Sequence, residues 1–271
     1  MKANDLLDKI LVLSPWVDRN KTVDKIIDGN PNKELKNVLV VWRCSQETLK
    51  IAANGKYDGI IVHEPTYYFH ENEADELSAL PDDNPIKETA LNKQHIIRDN
   101  DITVIRIHDS WDSRDDTGIA ASWAKSLGLN NRKHKSEPPD CECRYDIPTV
   151  TAGELLEVVI KVVKDYQIPL PSLFGNPNQV ISRVGLGAGC IAYPVNFIKM
   201  GCDIAIVCDD GYSYWNTIAF AIDRGFPIIR ASHAASEEAG IQSLASWINS
   251  EFGIKTAYHA ENDTDNLLYF R

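Results

Sequence analysis

Short apolar runs alternate with amphipathic stretches along the chain. Helix-like spacing of apolar residues occurs at 117–128, 151–166 and 236–253, where residues of one face recur every three or four positions. Strands that alternate with helices of this length predict an α/β fold with mixed, mainly parallel sheets. The predicted strands are runs rich in Val and Ile, at 37–42, 58–63, 102–108, 183–188, 203–208, 227–232 and 254–259.

The order of these elements predicts two similar α/β lobes that together form one compact domain. We expect an N-terminal lobe at 1–130 and a C-terminal lobe at 175–271. The range 131–174 is predicted to connect them, with the polar stretch RKHKSEPPDCECRYDIP followed by a long helix. An acidic, proline-containing stretch at 71–93 is expected to be a solvated insertion that is partly helical.

Composition and charge exclude some classes of partner. The 271 residues are 44% hydrophobic and carry a formal net charge of -11, with a pI of about 5.1. Such a field repels nucleic acid and anionic membranes, so neither is expected as a partner. The N-terminus lacks the pattern of a signal peptide, no apolar run is long enough to span a bilayer, and the six cysteines are scattered. We therefore expect a cytoplasmic protein.

Histidines and carboxylates follow several of the predicted strands. His63 and Glu64 come at the end of DGIIVH, Asp112 lies four residues after the end of ITVIRIH, and His233 follows PIIRAS with Glu237 one helical turn later. Because the carboxyl ends of parallel strands meet at one edge of a sheet, these side chains are expected to lie close together. Imidazole and carboxylate suit zinc, iron or manganese, and two such ions activate water. The sequence thus predicts a two-metal site.

Further residues have both a functional and an ordinary interpretation. His108 precedes Asp112 by four positions and is the candidate catalytic residue that moves protons, or it makes a structural hydrogen bond near the site. The aromatic side chains of Tyr67, Tyr68 and Trp111 could form the wall of a pocket for a flat heterocycle, although packing is the more common role. The run GLGAG at 185–189 could bind phosphate, but a tight turn beside the site is favoured.

Three motifs, in this order, carry a resemblance to a known family: VHEPTYYF, IRIHDSWDSRDDTGIAASWAKSLGL and ASHAASEEAGIQSLASWI. The chain resembles the Nif3-like dinuclear metal centre family, many of whose members are labelled GTP cyclohydrolase type 2-like. The resemblance places the metal ligands of that family on His63, Asp112, His233 and Glu237 of this chain. Glu64 stands where the family has a second histidine, which makes the site harder and more anionic and shifts its preference toward iron or manganese.

The resemblance implies a Nif3-like fold, two divalent metal ions per subunit (zinc, iron or manganese) and a toroidal homohexamer built as a trimer of dimers. It also implies hydrolysis of a small polar substrate, nucleotide-like or heterocycle-like. Two alternatives stay open. One is a non-catalytic, metal-binding regulatory or scaffold hexamer. The other is a nucleotide-dependent oxidoreductase that uses GLGAG.

Overall fold

The structure is a computed structural model that describes residues 1–137, 141–166, 170–191 and 193–261. The chain folds into two compact α/β units, each built on one mixed sheet, and this confirms the predicted fold class. The first unit comprises Met1–Arg114 and Ile241–Ala260. The second comprises Asp115–Gly240 together with Glu261.

All seven predicted strands are present, and further strands occur outside the predicted runs. In chain order, the strands are β1 (Lys25–Asp28), β2 (Asn37–Val41), β3 (Gly59–Val62), β4 (Thr103–Arg106), β5 (Arg132–Lys135), β6 (Cys143–Thr151), β7 (Ser172–Phe174), β8 (Val180–Leu186), β9 (Ile204–Cys208), β10 (Ile228–Ala231) and β11 (Lys255–His259).

The three predicted helices are present, and the insertion at 71–93 is partly helical as expected. Among the residues that the structure describes, no helix combines the length and the apolar character that crossing a bilayer requires. In chain order, the α-helices are α1 (Ala3–Val12), α2 (Gln46–Asn54), α3 (Glu73–Ala79), α4 (Pro85–Asp99), α5 (Asp109–Asp112), α6 (Ile119–Ser126), α7 (Ala152–Val163), α8 (Pro194–Lys199), α9 (Phe220–Arg224) and α10 (His233–Phe252).

The sheet of the first unit has the strand order β1-β4-β3-β2-β11. Strands β4, β3, β2 and β11 run parallel, and only β1 is antiparallel to its neighbour. All four residues of β3 and of β4 are buried, Thr103 and Arg106 included, as expected of parallel strands that are covered on both faces. Parallel pairing also brings the carboxyl ends of β2, β3 and β4 to one edge.

The sheet of the second unit has the strand order β5-β6-β8-β9-β10-β7. Its centre, β8-β9-β10, is parallel, whereas β5, β6 and β7 pair antiparallel to their neighbours. Parallel pairing of β9 with β10 places the loops after these two strands side by side.

This division of the chain differs from the predicted lobes in two places. The range 131–174, predicted as a connecting segment, supplies β5, β6 and β7 to the second sheet. In β6 the side chains of Cys143 and Tyr145 are buried, and the partly exposed Arg144 lies between them. Strand β11, predicted to be part of the C-terminal lobe, pairs with β2 and so belongs to the first unit.

Candidate metal-binding sites

The first unit brings together four residues that we call the His63 cluster: His63, Glu64, His108 and Asp112. His63 and Glu64 directly follow β3, and both of their backbone N–H groups donate to the carbonyl oxygen of Trp42, at 3.0 and 2.9 Å. His108 lies just beyond β4 and is the N-cap residue of α5, whose last residue is Asp112. Two neighbouring parallel strands therefore deliver the cluster to the same edge of the sheet, as predicted from the sequence.

His63 is fully buried and held in one tautomer. Its Nδ1 lies 3.0 Å from the carbonyl oxygen of Ile107, and a carbonyl oxygen can only accept a hydrogen bond. Nδ1 therefore bears a proton, and in the neutral ring Nε2 carries the lone pair. This Nε2 lies 3.3 Å from a carboxylate oxygen of Asp112. A metal-binding imidazole is usually oriented by a hydrogen bond from its other ring nitrogen, as the bond from Nδ1 to Ile107 does here.

The imidazole of His108 stacks on that of His63, with ring centroids 4.5 Å apart and an angle of 10° between the planes. Nδ1 of His108 lies 2.9 Å from the carboxylate of Asp109 and 3.1 Å from that of Asp112, while Nε2 lies 3.9 Å from Glu64. Burial opposes the charge on His108, but the carboxylate of Asp112 leads the opposing effects and the pKa of His108 is raised above its ordinary value.

Two carboxyls of this region, those of Asp112 and Asp109, have pKa values below their ordinary value. Burial alone would raise the pKa of Asp112, but the rings of His108 and His63 outweigh it and hold that pKa below its ordinary value. Burial likewise opposes the charge of Asp109, yet hydrogen bonds from His108 and Thr22 keep the pKa of its carboxyl low. The cluster thus presents anionic oxygens beside imidazole nitrogens.

The second unit brings together His233 and Glu237, which we call the His233 pair. His233 is the first residue of α10, so the two side chains lie one turn apart, with 3.1 Å between Nε2 of His233 and a carboxylate oxygen of Glu237. Asp209 and Asp210, which follow β9, fix the histidine: the first accepts from its backbone N–H at 2.8 Å, and the second lies 3.2 Å from its Nδ1.

Gly189, in the loop after β8, makes room for the His233 pair. A Cβ atom at this position would lie 2.7 Å from Oε1 of Glu237 and 3.3 Å from Nε2 of His233, and the residue has a φ of +61°. Its backbone N–H donates to the hydroxyl of Ser236 at 3.2 Å. The run GLGAG therefore ends in a left-handed turn that packs against the candidate ligands, as the turn interpretation predicts.

The donor chemistry and spacing of both groups fit a divalent cation. In the His63 cluster, potential ligand atoms of His63, Glu64 and His108 all lie within 4.8 Å of one another. Two ligands of a tetrahedral ion with bonds of about 2.0–2.2 Å lie roughly 3.3–3.6 Å apart. The 3.3 Å between His63 and Asp112 matches that spacing, and the 3.1 Å between His233 and Glu237 is close to it. That all five predicted ligands form one two-metal centre stays a prediction.

Two of the three predicted pocket aromatics are packing residues. Trp111 is fully buried and lies 5.2 Å from the ring of Trp247, and Tyr67 is 3% exposed with its hydroxyl hydrogen-bonded to Asp28. Tyr68, in contrast, is 45% exposed and has a φ of +73°.

Three residues near the His63 cluster were missed at the sequence level. Asp24 accepts hydrogen bonds from the backbone N–H groups of His108 and Ser110, and no pattern around it predicts this role. Arg106 is fully buried inside β4, and a charged residue within an apolar run is a usable signal. His70 lies 5.0 Å from His108 in an edge-on arrangement and was hidden in a polar loop.

Known proteins match nearly the whole length of this chain. The Duf34/NIF3 (NGG1p interacting factor 3) family model matches residues 5–264. A protein of Haemophilus influenzae named "GTP cyclohydrolase 1 type 2 homolog" is 26% identical, over 94% of this chain and 98% of its own length. A protein of the same name from Chlamydia pneumoniae is 22% identical, over 95% of this chain and 97% of its own length.

Solved structures share the fold. The ybgI protein, described as of unknown function, superposes with a TM-score of 0.78 at 22% sequence identity and covers 96% of this chain and 98% of its own. A hypothetical protein of Staphylococcus aureus superposes with a TM-score of 0.77 at 18% identity, over 100% and 99% of the two chains. At these identities the likeness establishes the fold and not the activity.

Proposed function

The chain belongs to the Duf34/NIF3 family, and from this premise we propose that it is a metal-dependent hydrolase with two divalent ions per subunit. The observation that supports it best is the state of His63. The carbonyl of Ile107 fixes its Nδ1 proton, so Nε2 offers a lone pair beside the charged carboxylate of Asp112. An imidazole prepared in this way, next to an anionic oxygen, suits cation binding.

The proposed ligands are His63, Glu64 and Asp112 in the first unit and His233 and Glu237 in the second. Zinc, iron and manganese all accept such imidazole and carboxylate ligands. Glu64 adds an oxygen ligand where the resemblance places a histidine, and this favours iron or manganese over zinc.

Divalent ions at such positions lower the pKa of bound water and polarise a carbonyl or phosphoryl oxygen. Among the chain's own residues, His108 is the proposed group that moves a proton. Asp109 and Asp112 hold its Nδ1 and raise its pKa, so that Nε2 is the nitrogen from which a proton is exchanged. Asp24 fixes the backbone of His108 by accepting a hydrogen bond from its N–H.

The proposed substrate is small, polar and nucleotide-like or heterocycle-like. The name "GTP cyclohydrolase 1 type 2 homolog", carried by the curated relatives, makes GTP the first compound to test. A panel of nucleotides, cyclic amides and phosphoesters would extend the search. We further propose a homohexamer, a trimer of dimers, whose mass light scattering after size exclusion would measure directly.

Metal content per chain, measured by mass spectrometry of the elements, tests the proposal. We expect two ions per chain in the wild type and a loss of bound metal in Asp112→Ala and Glu237→Ala. The matched controls are Asp99→Ala and Glu251→Ala, because both residues are exposed and lie outside the two groups. Full metal content in both site variants would contradict the ligand assignment.

Turnover separates the hydrolase from the alternative. Hydrolysis of a panel compound that stops on chelation and returns with one metal supports the enzyme. Tight metal binding with no turnover across the panel supports the non-catalytic, metal-binding regulatory or scaffold hexamer instead.

A further inference from the structure

The loop that follows β3, from Glu64 to Glu73, is held by three buried charged side chains. Lys93 donates from Nζ to the carbonyl oxygen of Thr66 at 2.7 Å. The carboxylate of Glu73, 2% exposed, accepts from the backbone N–H of Tyr67 at 2.5 Å. Burying a charge is costly unless it is paired or hydrogen-bonded, and here each buried charge is hydrogen-bonded to the backbone of this loop.

Arg106 is the third of these charges and holds both ends of the segment from His63 to His70. Its Nε donates to the carbonyl oxygen of His63 at 3.0 Å, and one terminal nitrogen donates to the carbonyl oxygen of His70 at 2.6 Å. The other terminal nitrogen lies 3.1 Å from Nδ1 of the His70 ring. A fully buried guanidinium therefore links the backbone of a candidate metal ligand to the ring of an exposed histidine.

That last contact fixes the tautomer of His70. A guanidinium carries only donor hydrogens, so Nδ1 of His70 has to accept and cannot bear a proton. In the neutral ring the proton then resides on Nε2. His70 is exposed, so this N–H is available to a ligand, and its ring lies 5.0 Å from that of His108.

Tyr68 lies in the same rigid loop and also points to solvent. It is 45% exposed in a left-handed backbone conformation, with its ring over Nζ of Lys93 at 4.1 Å. A positive φ is rare for a bulky residue and persists only where the surroundings impose it. The loop thus buries Thr66 and Tyr67, exposes Tyr68 and presents His70 beside His108 of the His63 cluster.

We propose that His70 is a substrate-binding residue, which donates a hydrogen bond from Nε2 to an oxygen of the substrate, and that Arg106 is the residue that positions it. This deepens the proposed function and rests on it for the nature of the ligand, a phosphoryl or carbonyl oxygen bound at the His63 cluster. Arg106 acts through His70 and the loop, whose first residue, Glu64, has a carboxylate oxygen 4.0 Å from the guanidinium.

The first test is the tautomer of His70 in metal-free protein, read by two-bond 1H–15N correlation after labelling with 15N-histidine. Loss of one set of signals in His70→Ala assigns the ring. We expect protonated Nε2 and unprotonated Nδ1. A ring protonated on Nδ1 would overturn the proposal, and this result is independent of metal binding and of turnover.

The second test is the binding of inorganic phosphate to Mn2+-loaded protein, measured by titration calorimetry. A hydrogen bond to a charged ligand corresponds to tenfold or more in affinity, so we expect His70→Ala to bind phosphate roughly tenfold more weakly. His70→Gln keeps an N–H donor and should recover much of the affinity. His95→Ala removes an exposed histidine of α4 and should behave as wild type.

Equal phosphate affinity in wild type and His70→Ala would overturn the proposal, as would an absence of phosphate binding by the wild type. Metal content and turnover of the wild type report separately on the proposed function. An active wild type with an equally active, equally phosphate-binding His70→Ala variant would reject the role of His70 and leave the hydrolase standing.

Discussion

The His63 cluster and the His233 pair present the same kinds of donor atoms through different constructions. The cluster is assembled from the ends of two strands, and backbone carbonyls set the state of its groups: Trp42 receives two N–H groups and Ile107 receives Nδ1 of His63. The pair lies within one turn of α10, and the loop after β9 orients its histidine.

The His63 cluster and the His233 pair should therefore respond differently to substitution. Rigidity around the His63 cluster comes from a buried network of charges, so its failure should appear as lost stability. The His233 pair depends on a lack of side-chain atoms at Gly189, so its failure should appear as lost metal binding with little change in the fold. The predictions below test this difference.

Arg106→Met should have the largest effect. Arg106 is fully buried, and its guanidinium lies 3.6 Å from the carboxylate of Glu73. Without the guanidinium, Glu73 would be a buried carboxylate that has lost this partner. Breaking a buried pair in this way lowers the free energy of unfolding by about 3–5 kcal/mol. Midpoints of urea denaturation, followed by circular dichroism, would measure the loss.

The matched control is Arg183→Met, which removes an arginine paired with Asp203 on the surface of the second unit. The side chain of Arg183 is 47% exposed, so its loss should lower the free energy of unfolding much less than the loss of Arg106. Equal effects of the two variants would mean that burial does not distinguish the two arginines.

Gly189→Ala should have the next largest effect, and mainly on metal binding. The new Cβ would lie 2.7 Å from the carboxylate of Glu237, so the ligand has to move. Changes in the residues that surround and orient a metal ligand typically lower metal affinity by about 10–100-fold. Competition with a chromogenic chelator would measure this change.

Gly128→Ala is the control for backbone strain. Gly128 also has a positive φ, +74°, but a Cβ there meets nothing within 4 Å. Both variants should lose about 1 kcal/mol of stability, because alanine rarely adopts this conformation. Only Gly189→Ala should lose metal, and a similar loss in both would remove Gly189 from the site.

The spacing of the His233 pair could be predicted from sequence because it is local. Residues four apart on a helix lie on one face, so His233 and Glu237 needed only the start of α10 to be recognised. The ends of β3 and β4 could also be recognised in the sequence, since fully buried parallel strands give largely apolar runs. Thus the identities of the candidate ligands could be predicted from pattern and resemblance.

What could not be predicted depends on contacts between distant parts of the chain. The Nδ1 proton of His63 is fixed by a carbonyl in the segment after β4, and the ring of His70 by an arginine within β4. Strands β5 and β6 were missed because an antiparallel pair at the edge of a sheet has polar, half-exposed residues. Tertiary pairing, which single-sequence patterns do not contain, decides each of these cases.

Removing one helix cap from each unit should have a smaller and equal effect. Ser45 and Thr151 form capping boxes at α2 and α7. The side chain of each accepts from a backbone N–H of the first turn, and a side chain of that turn accepts from the backbone N–H of the cap residue. Ser45→Ala and Thr151→Ala should each lower the free energy of unfolding by about 1 kcal/mol. An unchanged free energy of unfolding in only one of the two variants would contradict the expected equal effect of the two caps.

The smallest effect should be a difference in pH dependence between wild type and Lys93→Met. Burial lowers the pKa of Lys93 in the folded protein, with a further decrease from Arg43, whereas Cys44 and Glu73 act in the opposite direction. In the unfolded chain the amine keeps its proton up to its ordinary pKa of 10.5. Between the lowered value and 10.5, the unfolded chain binds more protons than the folded protein.

Lys93 therefore contributes a rise of stability with pH across that window in the wild type, and Lys93→Met should lack this contribution. Methionine also loses the bond to the carbonyl of Thr66, but that loss is the same at every pH. Burial raises the pKa of the neighbouring Cys44 thiol from 9.0 to about 12, so this thiol lowers stability as pH rises through 9.0, but both proteins contain it and the difference between them still reports on Lys93. Unfolding temperatures of both proteins, measured in parallel from pH 7 to pH 10, give the comparison. Parallel profiles would mean that Lys93 titrates normally, and that the loop after β3 is held by a charge that costs the folded protein little.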